Sequence, residues 1–543
     1  MKAIDLYSGI GGWTLGLKMA GIEVVASYEW WKDANNTHNQ NFGTDHKERN
    51  IRELDLEIDL PNPDEIDFVV GSPPCTQFSF ANRGGNGDIA DGLIDVYKFL
   101  EVVEYVRPKY WAMENVPRVA GILEREILEG GELERFAHLF DGEFRIIKVY
   151  NSADFGVPQS RKRMIAGKFP YQLFESYREI TPQRTLREVI QGLKKENLID
   201  PIYGHKIDKL TDNIGEVSLT SEEKRINSDS KTHHPVYNKM SFPDLLDRPS
   251  RTVTALCTRV SRESIIIEDE PNQFRRLTVR ERGCIQTFPA DYQFYSNSYG
   301  GKLKMIGNAI PPLLTYYIAE SMLNKSIENL NPAVSQGKII DNTNNLPRIF
   351  EPDNRGSKYS WSRSFWLAIP NLRLGSGVRF ELRNIANKEL EQVFWKVNFF
   401  FGNSKKIEEL SLDKQLFREL WEALQIIEVK NLESTLLRFL EFVQRLEIND
   451  LQENWTNKNR SKDGPIWLID RLGDFAKDII EILNNSNQSI QDQLDSFTDH
   501  GIFLANRKLA ENSNLVISGM LIGSIFNAVV RGENVELELL LQD

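Results

Sequence analysis

Five short apolar runs, KAIDLY, VVASYEW, IDFVV, YWAMENV and RMIAGKF, are spaced through the first 170 residues with helical patterns between them. Between the third and fourth lies LIDVYKFLEVVEYV, whose Leu93, Val96, Tyr97, Leu100 and Val103 fall on one helical face. Strands that alternate with helices predict an α/β fold, a parallel sheet covered on both sides. Ligands of such sheets gather at the carboxyl ends of the strands, where the odd polar residues of this chain cluster.

A chain of 543 residues has room for more than one domain, and 41% hydrophobic with 27% charged residues is ordinary for a soluble globular protein. No apolar run is read as a membrane span, and the start MKAIDLYSGIGGW lacks the basic-then-apolar pattern of a signal segment. Three cysteines without a CxxC pair argue against a disulfide framework and a zinc site, so no metal and a cytoplasmic setting are expected. The net charge is −12, yet residues 159–282 hold 23 Lys and Arg against 18 Asp and Glu. A basic middle in an acidic chain fits a local face for a polyanion.

DLYSGIGGWTLGLKMAG follows the first strand. Gly9, Gly11 and Gly12 let the backbone turn tightly and approach a ligand at the start of a helix, as a nucleotide-like cofactor requires; a plain turn is the alternative. Glu29 ends the second strand, where a carboxylate can accept bonds from two ribose hydroxyls, and Trp30 can stack on a base. Cys75, in GSPPCTQFS, is either a small buried hydrophobe or, held by two prolines beside polar chain, a nucleophile. Glu114 in MENV should face it across neighbouring strand ends as a proton donor to substrate. Arg161 and Arg163 in QSRKR lie on one side of an extended segment, suited to a phosphate or a base carbonyl.

Taken in order, DLYSGIGG, EW, GSPPCTQFS, ENV, QSRKR, RRLTVRERGCIQTFP and GNAIPP strongly resemble the DNA cytosine-5 methyltransferases, from residue 2 to about 323. The resemblance implies a Rossmann-like methyltransferase domain, 1–170 with 251–325 returning to it, that moves a methyl group from S-adenosyl-L-methionine to carbon 5 of cytosine. Cys75 would add to carbon 6, Glu114 would hold ring nitrogen 3, Arg163 would bind the cytosine carbonyl, and Arg161 a nearby phosphate or the catalytic loop. The target base would be flipped out of the duplex, and SFANRGGNGDIADG after Cys75 would close over it. Cofactor residues carry over as Tyr7, Ser8, Gly9, Gly11 and Gly12, Glu29 and Trp30 at ribose and adenine, Asn50 and Ile51 at the third strand end, Pro73 and Leu93 as pocket wall, and Asn308 with Ala309 at the closing helix. Asn50 stands where an aspartate is usual, and ADG at 90–92 replaces the usual arginine–glycine pair.

The segment 171–250, closed by RPSRTVTA, would form a small target-recognition lobe of one specificity. The partners implied are double-stranded DNA and a cognate restriction endonuclease acting on the same site, with the protein a monomer. A tRNA cytosine-5 methyltransferase would share the catalytic residues.

An Asn- and Pro-rich stretch at 326–354 reads as a linker to a block at 355–543, expected to be mostly helical, with Leu416, Leu420, Leu424 and then Leu436, Leu440, Val443 on helical faces. FWLAIPNLRLGSGVRFEL reads as a hairpin whose core Trp361 and Trp366 would fill. Glu428 and Lys430, with Asp413 upstream, carry half of a nuclease metal signature, the basis of a bifunctional methylase–nuclease alternative.

Overall fold

The computed structural model describes every residue except 79–87, 195–198, 208–209, 233–239, 331–332, 334–339, 341–344, 353–357, 375–377, 388, 404–405, 427–428, 430, 458–463, 486–506 and 533–543. The chain divides into two units, Met1–Leu219 with Pro243–Pro352 and Thr220–Phe242 with Asp353–Asp543.

Six strands form the sheet of the first unit: β1 (Lys2–Leu6), β2 (Glu23–Tyr28), β3 (Phe68–Gly71), β4 (Tyr110–Asn115), β5 (Arg145–Asn151) and β6 (Lys162–Lys168). Their order is β2-β1-β3-β4-β6-β5. Ala3, Ile4, Phe68, Val69, Val70 and Ala112 are wholly buried, the mark of a sheet covered on both faces. Helices α1 (Gly12–Met19), α2 (Lys32–Phe42), α3 (Ile89–Val106) and α4 (Arg118–Glu126) alternate with the strands, and α3 buries Leu93, Val96, Leu100 and Val103 as its periodicity requires. The first four strands pair in parallel, but β6 runs antiparallel to both β4 and β5, so the expected parallel sheet is mixed. The missed strand, β5, lies at the edge, where Ile146 and Tyr150 are buried but Lys148 and Val149 are exposed, and no continuous apolar run marks it.

β1 sits between β2 and β3, so the chain reverses direction across the sheet there and leaves a crevice above the strands' carboxyl ends. Beyond β6 come α5 (Tyr171–Ser176), α6 (Leu186–Lys194), α7 (Ser221–Thr232), the hairpin β7 (Ile266–Glu270) and β8 (Gln273–Arg276), α8 (Val279–Ile285), α9 (Tyr299–Asn308) and α10 (Pro312–Met322). Thr278 and Glu281 form a reciprocal cap that starts α8 just after RRL. α10 returns to α1, where the Thr315 hydroxyl donates to the Gly12 carbonyl at 2.8 Å. The stretch read as a linker belongs with this unit: Ala333 and Ile340 are buried in its core and Lys302 Nζ donates to the Arg348 carbonyl at 2.8 Å.

In the second unit, β9 (Trp366–Arg373), β10 (Arg379–Asn387), β11 (Gln392–Asn403) and β12 (Lys406–Leu410) form an antiparallel sheet in the order β12-β11-β10-β9. The hairpin read from sequence is β9–β10. Beside the sheet stand the helices α11 (Lys414–Ile426), α12 (Leu432–Gln444), α13 (Ile448–Thr456), α14 (Pro465–Asn484), α15 (Arg507–Ala510) and α16 (Ser513–Val530). Leu416, Leu420, Leu424, Leu436, Leu440 and Val443 are all buried.

Three expectations change here. Trp361 and Trp366 do not fill the core: they are 43% and 60% exposed, and Phe365, Phe380, Trp395, Phe399 and Trp455 occupy it instead. α16 carries no charged residue and is long and apolar enough to cross a membrane by length and composition, a run the sequence reading passed over; most of it is buried within the unit. Residues 220–242, placed in the recognition region, group with this unit, where Arg225 binds Asp470 (Nη1 to Oδ2 at 2.6 Å).

Candidate active site

The ends of β1 to β4 and the start of β6 bring the quoted motifs together. β1 leads into Tyr7, at a positive φ of 55°, then Ser8 and Gly9. Gly9 has φ 54°, and a β-carbon there would meet nothing within 4 Å, so this turn borders open space. Gly11 caps α1 and Gly12 is its first residue. Glu29 lies beside them, 7% exposed; its Oε2 accepts from Gly9 N at 2.9 Å and its Oε1 from Trp31 N at 2.7 Å. Each carboxylate oxygen keeps a further acceptor site. Burial pushes the Glu29 carboxyl above its ordinary range, opposed by these backbone bonds. Trp30 is 66% exposed and presents its ring to solvent.

S-adenosyl-L-methionine fits this edge. Ser8 Oγ is buried without a partner among the described residues, a polar atom that needs one. Tyr7, Ile51 and Leu93 belong to one apolar cluster, and the Tyr7 hydroxyl donates to the Asp95 carbonyl at 3.1 Å. Asn50 and Ile51 do not end a strand: Asn50 caps a short 3-10 turn, Ile51–Glu53, and donates to Glu53 Oε1 at 2.7 Å, so its amide is engaged locally. Pro73 is buried and its carbonyl accepts from Asn115 Nδ2 at 3.1 Å, which fixes the Cys75 turn to the end of β4. Asn308 is exposed and Ala309 is buried at the end of α9.

Cys75 follows β3, and Glu114 lies in β4, the next strand. Arg163 Nε pairs with Glu114 Oε1 at 2.9 Å, both nearly buried. Cys75 is half-buried; burial raises its thiol above the ordinary range, Arg163 pulls it back down most strongly, Glu114 pushes it up, and Arg161 lowers it. A thiol, a carboxylate and two guanidinium groups thus share one electrostatic site.

Arg161 departs from expectation. It is 1% exposed and donates from Nη1 to the Val253 carbonyl at 3.1 Å and from Nη2 to the Gly307 and Ala309 carbonyls, each at 3.0 Å. A group so engaged does not reach a phosphate; it fastens QSRKR to RTVTA and GNAIPP. Burial pushes its guanidinium down to about 9. Two glutamines that the sequence reading passed over do the same work: Gln159 Nε2 donates to Gln286 Oε1 at 2.9 Å and Gln159 Oε1 accepts from Val253 N at 2.7 Å. Their signal was a wholly buried amide in each of QSRKR and GCIQTFP, which only the tertiary structure reveals as paired. Tyr292 likewise holds the glycine turn from outside, its hydroxyl donating to the Ile10 carbonyl at 2.5 Å.

Residues 79–87 of the stretch after Cys75 lie outside the described residues, as do Glu428 and Lys430. Asp413, the third member of the nuclease reading, accepts from Leu416 N at 3.0 Å and caps α11.

The family model described as C-5 cytosine-specific DNA methylase matches residues 1–324. The Type II methyltransferase M1.HphI of Haemophilus parahaemolyticus is 32% identical over 356 residues, covering 59% of this chain and 86% of that protein. M.MthTI of Methanothermobacter thermautotrophicus is 29% identical, with 61% and 99% covered. Among solved structures, S. pombe Dnmt2 methyltransferase matches with a TM-score of 0.43 and 19% identity, over 60% of this chain and 98% of that one.

Proposed function

The chain belongs to the C-5 cytosine-specific DNA methylases, and from that premise we propose that it methylates a cytosine flipped out of duplex DNA through a temporary bond from Cys75 to the ring. It is a DNA (cytosine-5) methyltransferase of the restriction-modification type and uses S-adenosyl-L-methionine. The observation that supports the covalent reading is the Glu114–Arg163 pair, formed between the end of β4 and the start of β6, whose opposed charges act on the Cys75 thiol.

Carbon 5 of cytosine is a weak nucleophile in an electron-poor ring. The Cys75 thiolate adds to carbon 6, forming an S–C bond, while the carbon 5–carbon 6 π pair becomes available at carbon 5. Glu114 shares a proton with ring nitrogen 3 and so limits the negative charge that addition places on the ring. Arg163, held by Glu114, directs its remaining donors to the ring carbonyl. Bound S-adenosyl-L-methionine supplies the electrophilic methyl group. Loss of the carbon 5 proton to a base then returns the S–C pair to Cys75 and restores the aromatic ring. Glu29 and Ser8 would hold the cofactor edge, and Trp30 would stack on its base. The methylated sites protect the host's DNA from a cognate endonuclease.

A duplex carrying 5-fluorocytosine at the target position tests this, because fluorine cannot leave as a proton does. Incubation with the cofactor should leave an adduct that survives denaturation and maps to residue 75, and Cys75→Ser should give none. Methyl transfer to ordinary DNA without any such adduct would overturn the covalent mechanism. Parallel labelling of DNA and tRNA decides between the two substrates.

A further inference from the structure

Leu256 is 78% exposed on the loop that follows RTVTA, outside the segment read as recognising DNA. A single exposed leucine on a protein surface is ordinary. This one is set apart by how firmly the chain around it is held, and by what holds it. Arg161, which neighbours Cys75 and Glu114 electrostatically, binds the Val253 carbonyl at 3.1 Å. Gln159 binds Val253 N at 2.7 Å, and buried Arg282 donates to the Thr254 carbonyl. A β-carbon on Gly307 would come within 2.4 Å of Ala255 N, so α9 packs directly against the loop backbone and only glycine permits it. The Thr254 hydroxyl donates to the Leu256 carbonyl at 2.8 Å and closes the turn. On the far side, Arg259 donates to the Val217 and Ser218 carbonyls, each at 2.8 Å. A loop whose backbone is clamped by buried side chains beside the catalytic site thus carries an apolar side chain out into solvent.

We propose that Leu256 is a wedge that enters the DNA base stack beside the target cytosine and holds the stack open while the base is out. The inference rests on the base-flipping reading above and adds to it a named residue and a DNA-contacting loop. Enzymes that extrude a base must offset unstacking, and apolar side chains inserted at base steps do so in proteins that deform DNA. A wedge works only if its backbone does not yield, which is what the carbonyl clamps from Arg161 and Arg282 provide. Leu256 is a positioning residue in this scheme, with no contact to the reacting atoms.

The test uses the full chain and a duplex bearing the target motif found by bisulfite sequencing of methylated plasmid, with S-adenosyl-L-methionine for turnover and S-adenosyl-L-homocysteine for the fluorescence of the bound complex. One duplex is fully paired with 2-aminopurine next to the target cytosine; a second has an abasic site opposite that cytosine, which removes the pairing to be broken. Leu256→Ala should lower kcat/KM on the paired duplex on the order of tenfold and reduce its fluorescence rise, while the abasic duplex restores both. Leu256→Met should behave as the parent. Equal activity of parent and Leu256→Ala on paired DNA would overturn the wedge, and so would an equal loss on both duplexes. Absence of methyl transfer or adduct in the parent protein would instead sink the base-flipping reading itself.

Discussion

Cys75 rests in a setting that keeps its sulfur protonated, since burial outweighs the pull of Arg163 and Arg161. The thiolate fraction of the free enzyme should therefore stay small at neutral pH and grow only above the ordinary thiol range. Iodoacetamide alkylation measured against pH should show a midpoint above that of a free cysteine. Arg163→Ala should move it higher, since it removes the strongest lowering charge and leaves Glu114, which raises the thiol, unpaired. A midpoint that falls in this variant would contradict the assignment. Glu114→Gln should slow the chemical step by about 100-fold or more, the usual scale for a lost proton donor, with cofactor affinity unchanged by equilibrium binding. Equal losses in both measurements would argue that Glu114 merely supports the fold. The shared setting of Cys75, Glu114 and Arg163 was legible because each lies at one end of a readable strand. That of Arg161 was not, because an arginine that binds carbonyls and one that binds phosphate look identical in sequence.

Among elements, β1, α1, β2 and α2 are locked beneath the glycine turn by a buried polar chain. Asp5 Oδ2 accepts from the Thr14 hydroxyl at 2.8 Å, so the Thr14 oxygen accepts in turn from His38 Nε2 at 3.0 Å. Ser27 Oγ lies 3.3 Å from the same nitrogen. Burial pushes His38 down to about 3 and Asp5 up to about 7. His38 is therefore neutral when folded and charged when unfolded below its ordinary value near 6.5. Its contribution to stability is complete above pH 6.5 and is lost as pH falls toward 3, by an amount on the order of 5 kcal/mol for a wholly buried group. Thermal unfolding of the parent and His38→Asn should converge as pH drops through that window. A gap that stays constant would show that His38 does not titrate on unfolding. None of this was readable beforehand: Asp5, Thr14, Ser27 and His38 lie in four separate elements, and only packing buries them together.

At the scale of the molecule, the chain leaves the first unit at Thr220, places α7 in the second, and returns at Pro243. Within the second unit α7 buries Glu223, Ile226, Asn227 and Lys231, with Arg225 on Asp470 and Arg373 3.7 Å from Asp229. A chain ended at residue 352 should keep the first unit's sheet but leave 220–242 without its cover. Limited proteolysis should then cut there first, while the full chain resists at that site; equal resistance would show that α7 is supported otherwise. The C-terminal unit is thus tied by sequence to the segment that the family resemblance assigns to target recognition. That tie crosses more than a hundred residues of chain and leaves no local mark.

Apolar periodicity and the ordered motifs determined that residues 1–324 fold around a covered sheet with a thiol, a carboxylate and arginines at its strand ends. Those features are local, each set by a few adjacent side chains and the period of the element that carries them. Tertiary structure alone decided the antiparallel β6, the edge strand β5, the engagement of Arg161, and the outward tryptophans of β9 and its approach. These depend on which backbone carbonyls and which neighbouring faces are left to be satisfied once distant segments meet, and spacing along a chain does not encode that.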